Sequence, residues 1–275
     1  MIKRQVRRGA LLALGLSAAA FGVSVASAST AKVTPPSSIS SAKQLLFCSD
    51  ISYPPEEFYD GTKPVGSDIE IGAAIAAQMG VKADFQNTGF DGIIPALQSK
   101  KCDAVISGMN DTPARRKQVD FTDYLSVGQS FMVKKGNPEK ITSIAGNAGK
   151  TVSVEVGTTN ADFLLAQSKL LVKAGKKPIS VKTFPKDTDA ANALATGKVD
   201  AYFGDAPVVA YYVGKSPDQF AFGGKAVNPI SVGIATRKGD ALTAAIKKAV
   251  ANLYSDGQIA KILAKWKMSS TAMKG

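Results

Sequence analysis

Charged side chains follow several apolar, β-type runs of this sequence at the points where those runs end. Asp50 and Asp205 each come directly after such a run, and Arg115 lies just after a Thr112-Pro113 helix start. A guanidinium can hold a carboxylate through two parallel hydrogen bonds, and a carboxylate accepts hydrogen bonds from an ammonium group. Arg115 and Asp205 therefore predict a site for an α-amino acid, with Arg115 on the carboxylate and Asp205 on the ammonium.

Each of these residues also has a structural interpretation. Arg115 lies in the run Arg115-Arg116-Lys117, and such a charge run on a helix is usually a solvated face. Asp205 precedes a Pro-containing helix start and could act only as a helix cap. Tyr53 and Phe90 could be aromatic core residues. Taken one at a time, the residues leave these alternatives open.

Further polar and aromatic groups stand at comparable positions near strand ends and helix starts. Gly157-Thr158-Thr159 follows a strand and opens a helix, whose free backbone N–H groups attract anions. We expect Thr158 and Thr159 to assist Arg115 at the ligand carboxylate. The other residues expected near the ligand on these grounds are Tyr53, Phe90, Ser107, Gly108 and Asn110.

The composition argues against several kinds of catalysis. The chain has no His and two Cys, which removes the commonest general base and the usual zinc ligands. It also lacks a phosphate-binding loop and a dinucleotide-binding fingerprint. We expect no metal and no cofactor. The net charge of +12 comes from Lys and Arg scattered along the chain, so we expect no nucleic-acid partner.

The N-terminal residues predict export. Four basic residues precede an uncharged, mostly apolar run over 9–25, which closes on Ala26-Ser27-Ala28. This is the pattern of a cleavable signal peptide over residues 1–28, and the apolar run is shorter than the ~20 residues of a membrane span. Residues 29–43 are rich in Ser, Thr, Pro and Ala and predict a flexible leader. The expected location is the periplasm.

After the leader, short β-type runs alternate with helical patterns, which predicts α/β layers with a mostly parallel sheet. The stretch 96–104 is echoed at 193–201, with a constant offset of 97 residues. In both copies a helix ends, an Asp-Ala strand follows and a Pro-containing helix start comes next. This repeat favours two related lobes. The extended stretches 129–135 and 230–237 are the expected crossings between them.

Two local predictions concern a helix start and the cysteines. Ser67-Asp68-Ile69-Glu70 has the pattern of a capping box before a helix that ends near Met79, with Gly80 after its end. Cys48 comes late in one predicted strand, Leu45 to Ser49, and Cys102 comes first in another, Cys102 to Ser107. If the two strands are parallel neighbours, this offset holds the two sulfur atoms apart. Buried thiols are therefore favoured over a disulfide.

Several motifs together resemble the family 3 extracellular solute-binding proteins of polar amino-acid ABC importers, over residues 44–267. The motifs that carry the resemblance are Asp50-Ile51-Ser52-Tyr53-Pro54-Pro55, Gly66 to Ile71, Phe90-Asp91-Gly92-Ile93-Ile94-Pro95-Ala96-Leu97, Ser107 to Arg115, Asp120-Phe121-Thr122 and Gly157-Thr158-Thr159.

The resemblance implies a fold, a site and a partner. The fold is the type II periplasmic binding protein fold: two Rossmann-like lobes joined by two crossover strands, with the ligand in the cleft. Lobe 1 would comprise 44–128 and 232–275, and lobe 2 would comprise 129–231. The resemblance makes Arg115 the carboxylate clamp and Asp205 the ammonium acceptor, and it implies a monomer that delivers its ligand to a membrane permease.

The side chain of the ligand is suggested by acidic residues. The resemblance implies that Glu155 faces the ligand, opposite Asp50. With Glu57 or Asp111, these carboxylates would favour a cationic side chain such as that of Arg, Lys or ornithine, because buried carboxylates need positive partners. Neutral polar amino acids remain an alternative if the acids are solvated. A periplasmic dehydratase acting on prephenate-like compounds is a rival on the same fold.

Overall fold

The computed structural model describes Met1 and residues 32–273. Apart from Met1, the predicted signal peptide lies outside the described residues, and so does the first part of the predicted leader. Within the described residues, no helix combines the length and the apolar character needed to cross a membrane.

The chain alternates strands and helices, as predicted. The strands are β1 (Gln44–Ser49), β2 (Phe58–Asp60), β3 (Lys63–Val65), β4 (Lys82–Asn87), β5 (Ala104–Val105), β6 (Val119–Lys134), β7 (Thr151–Glu155), β8 (Ser180–Phe184), β9 (Ala201–Asp205), β10 (Phe220–Phe222) and β11 (Val227–Arg237). The helices are α1 (Ser37–Ala42), α2 (Ser67–Gln78), α3 (Ile93–Gln98), α4 (Pro113–Arg116), α5 (Thr159–Lys173), α6 (Asp187–Ala195), α7 (Ala206–Lys215), α8 (Ala241–Ser255) and α9 (Gln258–Lys265).

One curled sheet runs through both lobes, and it is mixed rather than mostly parallel as predicted, because the long strands β6 and β11 and the short β10 pair antiparallel with their neighbours. Its strand order is β4-β1-β5-β11-β6-β9-β7-β8, and β10 pairs with β6. The long strands β6 and β11 are antiparallel neighbours at the centre, and they contain the two predicted crossings. The first lobe is built on β4, β1 and β5, and the second lobe is built on β9, β7 and β8.

The topology of the first lobe is repeated in the second. β1 lies between two parallel partners, β4 and β5, and β7 lies between two parallel partners, β8 and β9. β5 then pairs antiparallel with β11, as β9 does with β6. The echoed stretches contain the ends of α3 and α6 and lead into β5 and β9, so the sequence repeat corresponds to a structural repeat.

Buried apolar side chains form four clusters, and the crossover strands divide them. Two clusters draw on residues 33–127 and 232–268, and the other two draw on 131–220. The one exception within these clusters is Tyr53, which belongs to the first lobe but packs with the side chains of the second. Each lobe therefore has an apolar core of its own.

The prediction of a flexible leader over 29–43 is wrong for the part that the structure describes. α1 forms within it, and Val33 and Ile39 are 2% and 3% exposed in the core of the first lobe. The Val33 N–H also donates to the Gln78 carbonyl at 2.9 Å. Small polar residues dominate the composition of the segment, and this led to the prediction of flexibility. Its two apolar side chains are nevertheless enough to anchor it.

The start and end of α2 were predicted correctly, but the capping box was not. Gly66 occupies the N-cap position and no side chain caps the helix. Asp68 instead turns inward and accepts hydrogen bonds from the Gly108 N–H at 2.9 Å and the Tyr124 hydroxyl at 2.6 Å. Glu70 pairs with Lys265 at 2.5 Å. Tertiary partners have replaced the local cap.

The prediction of two buried thiols is also wrong, because Cys48 and Cys102 form a disulfide with their Cα atoms 5.6 Å apart. Cys48 lies opposite Val105 in the register of β1 and β5, and Cys102 lies in the bend before β5. The offset between strand positions therefore does not apply to Cys102. The bend is held close to β1 by the Asp103 N–H, which donates to the Leu46 carbonyl at 2.8 Å.

Replacing both cysteines by Ser should lower the free energy of unfolding by about 2–4 kcal/mol, because the disulfide restricts the unfolded chain. The bridge spans a sequence separation of 54 residues. Urea unfolding followed by circular dichroism measures the change. Dithiothreitol should destabilise the wild type and leave the double Ser variant unchanged. Equal stability of the two proteins under oxidising conditions would contradict a structural role for the bridge.

Candidate functional site

The site residues lie at the carboxyl ends of parallel strands from both lobes. In the first lobe, Asp50 follows β1 and Ser107 lies just beyond β5. In the second lobe, Glu155 ends β7 and Asp205 ends β9. Ligands of open α/β sheets bind beyond these ends. The fold thus brings four polar side chains from four strands to one cleft.

Eight of the eleven predicted residues line one small cavity in this cleft, together with Asn160, which was not predicted. The lining residues are Asp50, Tyr53, Phe90, Gly108, Asn110, Glu155, Thr158, Asn160 and Asp205. The volume open to the centre of a water molecule is about 10 Å³, which is room for about one water. The remaining predicted residues, Ser107, Arg115 and Thr159, contact the lining residues.

Arg115 connects the two lobes at the edge of this cavity. Its guanidinium donates to the Asn110 carbonyl at 2.7 Å and to the Gly157 carbonyl at 3.1 Å. It also lies over the Phe90 ring, 5.3 Å from the ring centroid. Burial lowers the pKa of Arg115, against the opposing charges of Asp162 and Asp205. The planar guanidinium is thus fixed by a ring and by one carbonyl from each lobe.

The N-terminus of α5 also lies at this cavity, which Thr158 lines. Thr158 caps this 15-residue helix, since its hydroxyl accepts from the Ala161 N–H at 3.2 Å. The Thr159 hydroxyl donates to the Asn110 side-chain oxygen, which links the two lobes. Because the first N–H groups of a helix lack carbonyl partners within it, this end favours a negatively charged group.

Tyr53 fills the space between Gly108 and Asp205. Its hydroxyl accepts from the Asp205 N–H at 3.3 Å, across the two lobes. Gly108 has a φ of +49°, and a Cβ atom there would lie 3.0 Å from the Tyr53 ring. Both the backbone conformation and the close approach of the ring therefore require glycine at this position.

Three carboxyl groups of the cavity are buried without an ion pair among the described residues. Burial raises the pKa of Asp205 from 3.8 to about 6, although Asn160, Asn110 and Tyr53 lower it through hydrogen bonds. Burial raises the pKa of Glu155 well above its ordinary value, and the charges of Asp187 and Asp50 raise it further. Burial also raises the pKa of Asp50, opposed by Ser52 and by the Phe90 N–H. The cavity therefore favours positive charge.

Hydrogen-bond acceptors in the cavity also lack donors. Glu155 Oε1, Asn160 Oδ1 and Asp205 Oδ1 are buried and have no hydrogen-bond partner among the described residues. Buried polar atoms are nearly always paired, and an unpaired one costs about 1–3 kcal/mol. Three such acceptors in one cavity indicate that a ligand with several N–H donors belongs there.

The two further acids proposed from the sequence differ in their placement. Glu57 lies behind the cavity, where its carboxyl accepts from the Ser107 hydroxyl at 2.8 Å, and the same hydroxyl accepts from the Asp50 N–H at 2.8 Å. Asp111 does not line the cavity and instead pairs with Arg116 at 2.7 Å. The inclusion of Asp111 in the acidic cluster is therefore wrong, because a nearer cation holds it.

Sequence reasoning missed Asn160 and Asp187. Asn160 is the second residue of α5 and is 3% exposed, directly after the two Thr that were predicted. Asp187 is the first residue of α6 and its carboxyl accepts from the Tyr212 hydroxyl at 3.0 Å. Burial raises the pKa of Asp187 to about 7. Its position after β8, another parallel strand, was an available signal.

Comparison with known proteins identifies relatives of similar length. The family model of the bacterial extracellular solute-binding proteins, family 3, matches residues 45–269. The putative ABC transporter arginine-binding protein 2 of Escherichia coli (strain K12) is 32% identical over 238 residues, which cover 83% of this chain and 93% of the relative.

Two solved structures are similar in both fold and sequence. An ancestral arginine-binding protein bound to arginine is 40% identical, covers 82% of this chain and 98% of its own, and has a TM-score of 0.74. An ancestral amino acid-binding protein described as a precursor of cyclohexadienyl dehydratase is 34% identical and has a TM-score of 0.75. The match covers 83% of this chain and 97% of that protein's chain. The predicted type II periplasmic binding protein fold is confirmed.

Asp205→Asn should change how stability depends on pH. The folded protein holds the Asp205 proton more tightly than the unfolded chain does, so the contribution of Asp205 to the unfolding free energy of the wild type falls as pH rises from about 4 to about 6. A shift from 3.8 to about 6 corresponds to at most about 3 kcal/mol. In the variant this contribution is absent, so its stability relative to wild type should rise over the same interval.

Urea unfolding at pH values from 4 to 8 measures the difference between the two proteins. Asp218→Asn, at an exposed aspartate, is the control and should show a flat difference. A difference that is also flat for Asp205→Asn would show that burial at Asp205 does not shift its titration.

Proposed function

The chain belongs to the bacterial extracellular solute-binding proteins, family 3, and on that premise we propose that it captures an α-amino acid with a cationic side chain. In this proposal the chain is exported, works in the periplasm as a monomer, and delivers the ligand to the permease of an ABC importer.

The observation that carries the proposal is the group of three unpaired acceptors in the cavity, on Glu155, Asn160 and Asp205. They share the cavity with the Asp50 carboxyl, and the Arg115 guanidinium lies at its edge. An amino acid with a cationic side chain supplies an ammonium group at one end and an ammonium or guanidinium at the other. Both ends donate several hydrogen bonds, so such a ligand matches the acceptors in charge and in number.

The α-carboxylate fits Arg115. The guanidinium now donates to the Asn110 and Gly157 carbonyls, and its planar fork can instead donate two parallel hydrogen bonds to a carboxylate. The start of α5 adds backbone N–H groups with a favourable dipole. Asp205, whose backbone is tied to Tyr53, then accepts from the α-ammonium group.

The side chain of the ligand fits between Asp50 and Glu155. Both carboxyl groups line the cavity, and the charge of Asp50 raises the pKa of Glu155, so a cation between them relieves their repulsion. The rings of Tyr53 and Phe90 supply faces that attract a cation and cover the methylene groups. A neutral side chain would leave the two carboxyl groups without a positive partner.

Capture requires the lobes to move. A cavity of about 10 Å³ is far too small for an amino acid, so the lobes 44–128 with 232–275 and 129–231 must separate to admit one. The separate apolar cores of the two lobes support these boundaries. The crossings lie within β6 and β11, which are the natural hinges. Trp266, the one Trp of the chain, reports on closure because Phe58 contacts both it and Tyr211 of the second lobe.

The relatives support a basic amino acid. The Escherichia coli relative is named an arginine-binding protein, and one similar structure is of a protein bound to arginine. The rival dehydratase activity is motivated by the dehydratase precursor among the similar structures and by buried carboxyl groups whose pKa values are raised. Incubation with prephenate or arogenate tests it, and formation of an aromatic product would favour the enzyme.

Glu155→Gln should weaken binding of arginine, lysine or ornithine by about 10- to 100-fold, because a hydrogen bond to a charged group contributes about 1.5–3 kcal/mol. Calorimetry with ligand-stripped protein measures the affinities, and Trp266 fluorescence measures closure. Glu139→Gln is the matched control, since Glu139 pairs with Lys150 outside the cavity. Full affinity for a basic ligand in Glu155→Gln would refute the charge argument, and a glutamine preference in the wild type would favour a neutral ligand.

Arg115→Ala should weaken binding of every α-amino acid ligand by about 30-fold or more, because truncating one partner of a buried charge pair costs about 2–5 kcal/mol. The neighbouring Arg116→Ala is the control, since Arg116 is exposed and pairs with Asp111. Its affinity should stay within about two-fold of the wild type. If the two variants bound equally well, Arg115 would not be the carboxylate clamp.

A further inference from the structure

A second, larger cavity adjoins the small one at the mouth of the cleft, and Asp50 lines both. Its volume is about 520 Å³, within the range of about 300–1,000 Å³ that is typical of ligand pockets. Both lobes form its walls. The lining residues that matter here are Ser52, Phe58 and Asn87 from the first lobe and Lys186, Tyr212 and Lys215 from the second.

The sign of the charge changes between the two cavities. The inner one is lined by Asp50, Glu155 and Asp205, and the outer one carries Lys186 and Lys215. Among the described residues neither lysine has a carboxylate within ion-pair distance. The Lys215 ammonium group donates to the Tyr211 hydroxyl at 3.3 Å and lies over the Tyr211 ring, so it is held at this wall without a carboxylate partner. A ligand that extends outward past Asp50 therefore leaves an anionic environment and enters one with two ammonium groups.

The aromatic walls of the outer cavity are held in place. The Tyr212 hydroxyl donates to Asp187 at 3.0 Å. The Phe58 ring lies 5.5 Å from the Tyr211 ring and 5.7 Å from the Trp266 ring. Fixed rings lose little conformational freedom when a ligand binds, which favours affinity. They offer an apolar surface to a short methylene segment between Asp50 and the lysines.

We propose that the outer cavity is a subsite for an anionic substituent on the distal nitrogen of the ligand. The ligand class is then a basic amino acid whose side-chain nitrogen keeps its positive charge and also carries a carboxylate-bearing group. The charged nitrogen lies at Asp50, and the carboxylate reaches Lys186 or Lys215. This inference rests on the proposed function, because the inner cavity must hold the amino-acid part.

Two ligand pairs test the subsite: lysine with Nε-(carboxymethyl)lysine, and arginine with argininosuccinate. In each pair the second molecule extends the first from its distal nitrogen and adds carboxylates. Calorimetry with the ligand-stripped full chain should give an extended ligand an affinity within about ten-fold of its parent, or better. A cleft without the subsite would exclude the extended ligands and weaken binding by far more.

Lys186→Ala with Lys215→Ala should weaken the extended ligand about ten-fold and leave its parent within about two-fold. Nε-methyllysine, which lengthens the side chain without an anion, should not respond to these substitutions. Lys182→Ala is the matched control, since Lys182 lies over the Phe184 ring and does not line the cavity.

The outcomes separate this inference from the proposed function. If lysine or arginine binds and both extended ligands fail, the subsite is refuted and the proposed function stands. Equal losses for parent and extended ligand in the double Lys variant would refute it as well. If no basic amino acid binds, with or without an extension, the proposed function itself fails.

Discussion

The burial of carboxyl groups without matching cations is the interaction on which the rest of the site depends. Asp50, Glu155 and Asp205 are each 3% exposed or less, and none of the three forms an ion pair within the described residues. Removing a carboxylate from water is costly unless a positive partner replaces the solvent. The raised pKa values of the three groups express that cost. A positive group placed among these carboxyls would offset that cost.

The carboxyl groups are divided between the two lobes, and in the proposed function this division couples ligand binding to closure. Asp50 belongs to the first lobe, and Glu155 and Asp205 belong to the second, so the groups face one another only when the lobes meet. Closure without a cation brings like charges together out of water. In the proposed function, a cationic ligand would bind the closed arrangement better than the open one, and a ligand shifts a conformational equilibrium only through such a difference in affinity. The same charges can therefore select the ligand and drive the closure.

These features could be predicted from the sequence where they depend on the residue at the end of a single strand. Asp50 and Asp205 come at the ends of strands that could be predicted, the repeat indicated two lobes, and the family resemblance added Glu155 and the cleft. Prediction from the sequence failed where a residue's partner comes from another part of the chain. Asp68 looked like part of a helix cap until Gly108 and Tyr124 supplied better partners. Cys102 was predicted to lie in a strand, but it lies in the bend before β5, which is hydrogen-bonded to β1. Local patterns cannot reveal a partner that is brought in from a distant part of the chain.

The groups behind the cavity explain why Asp50 can be held so firmly in an acidic environment. The Asp50 N–H donates to Ser107, and Ser107 donates to Glu57. Burial raises the pKa of Glu57 well above its ordinary value, and the charge of Asp68 raises it further. Ser107 thus links the backbone at Asp50 to a carboxyl group that lies behind the cavity and does not line it. The carboxyl groups that line the cavity are those of Asp50, Glu155 and Asp205, and these are the ones that a ligand can reach.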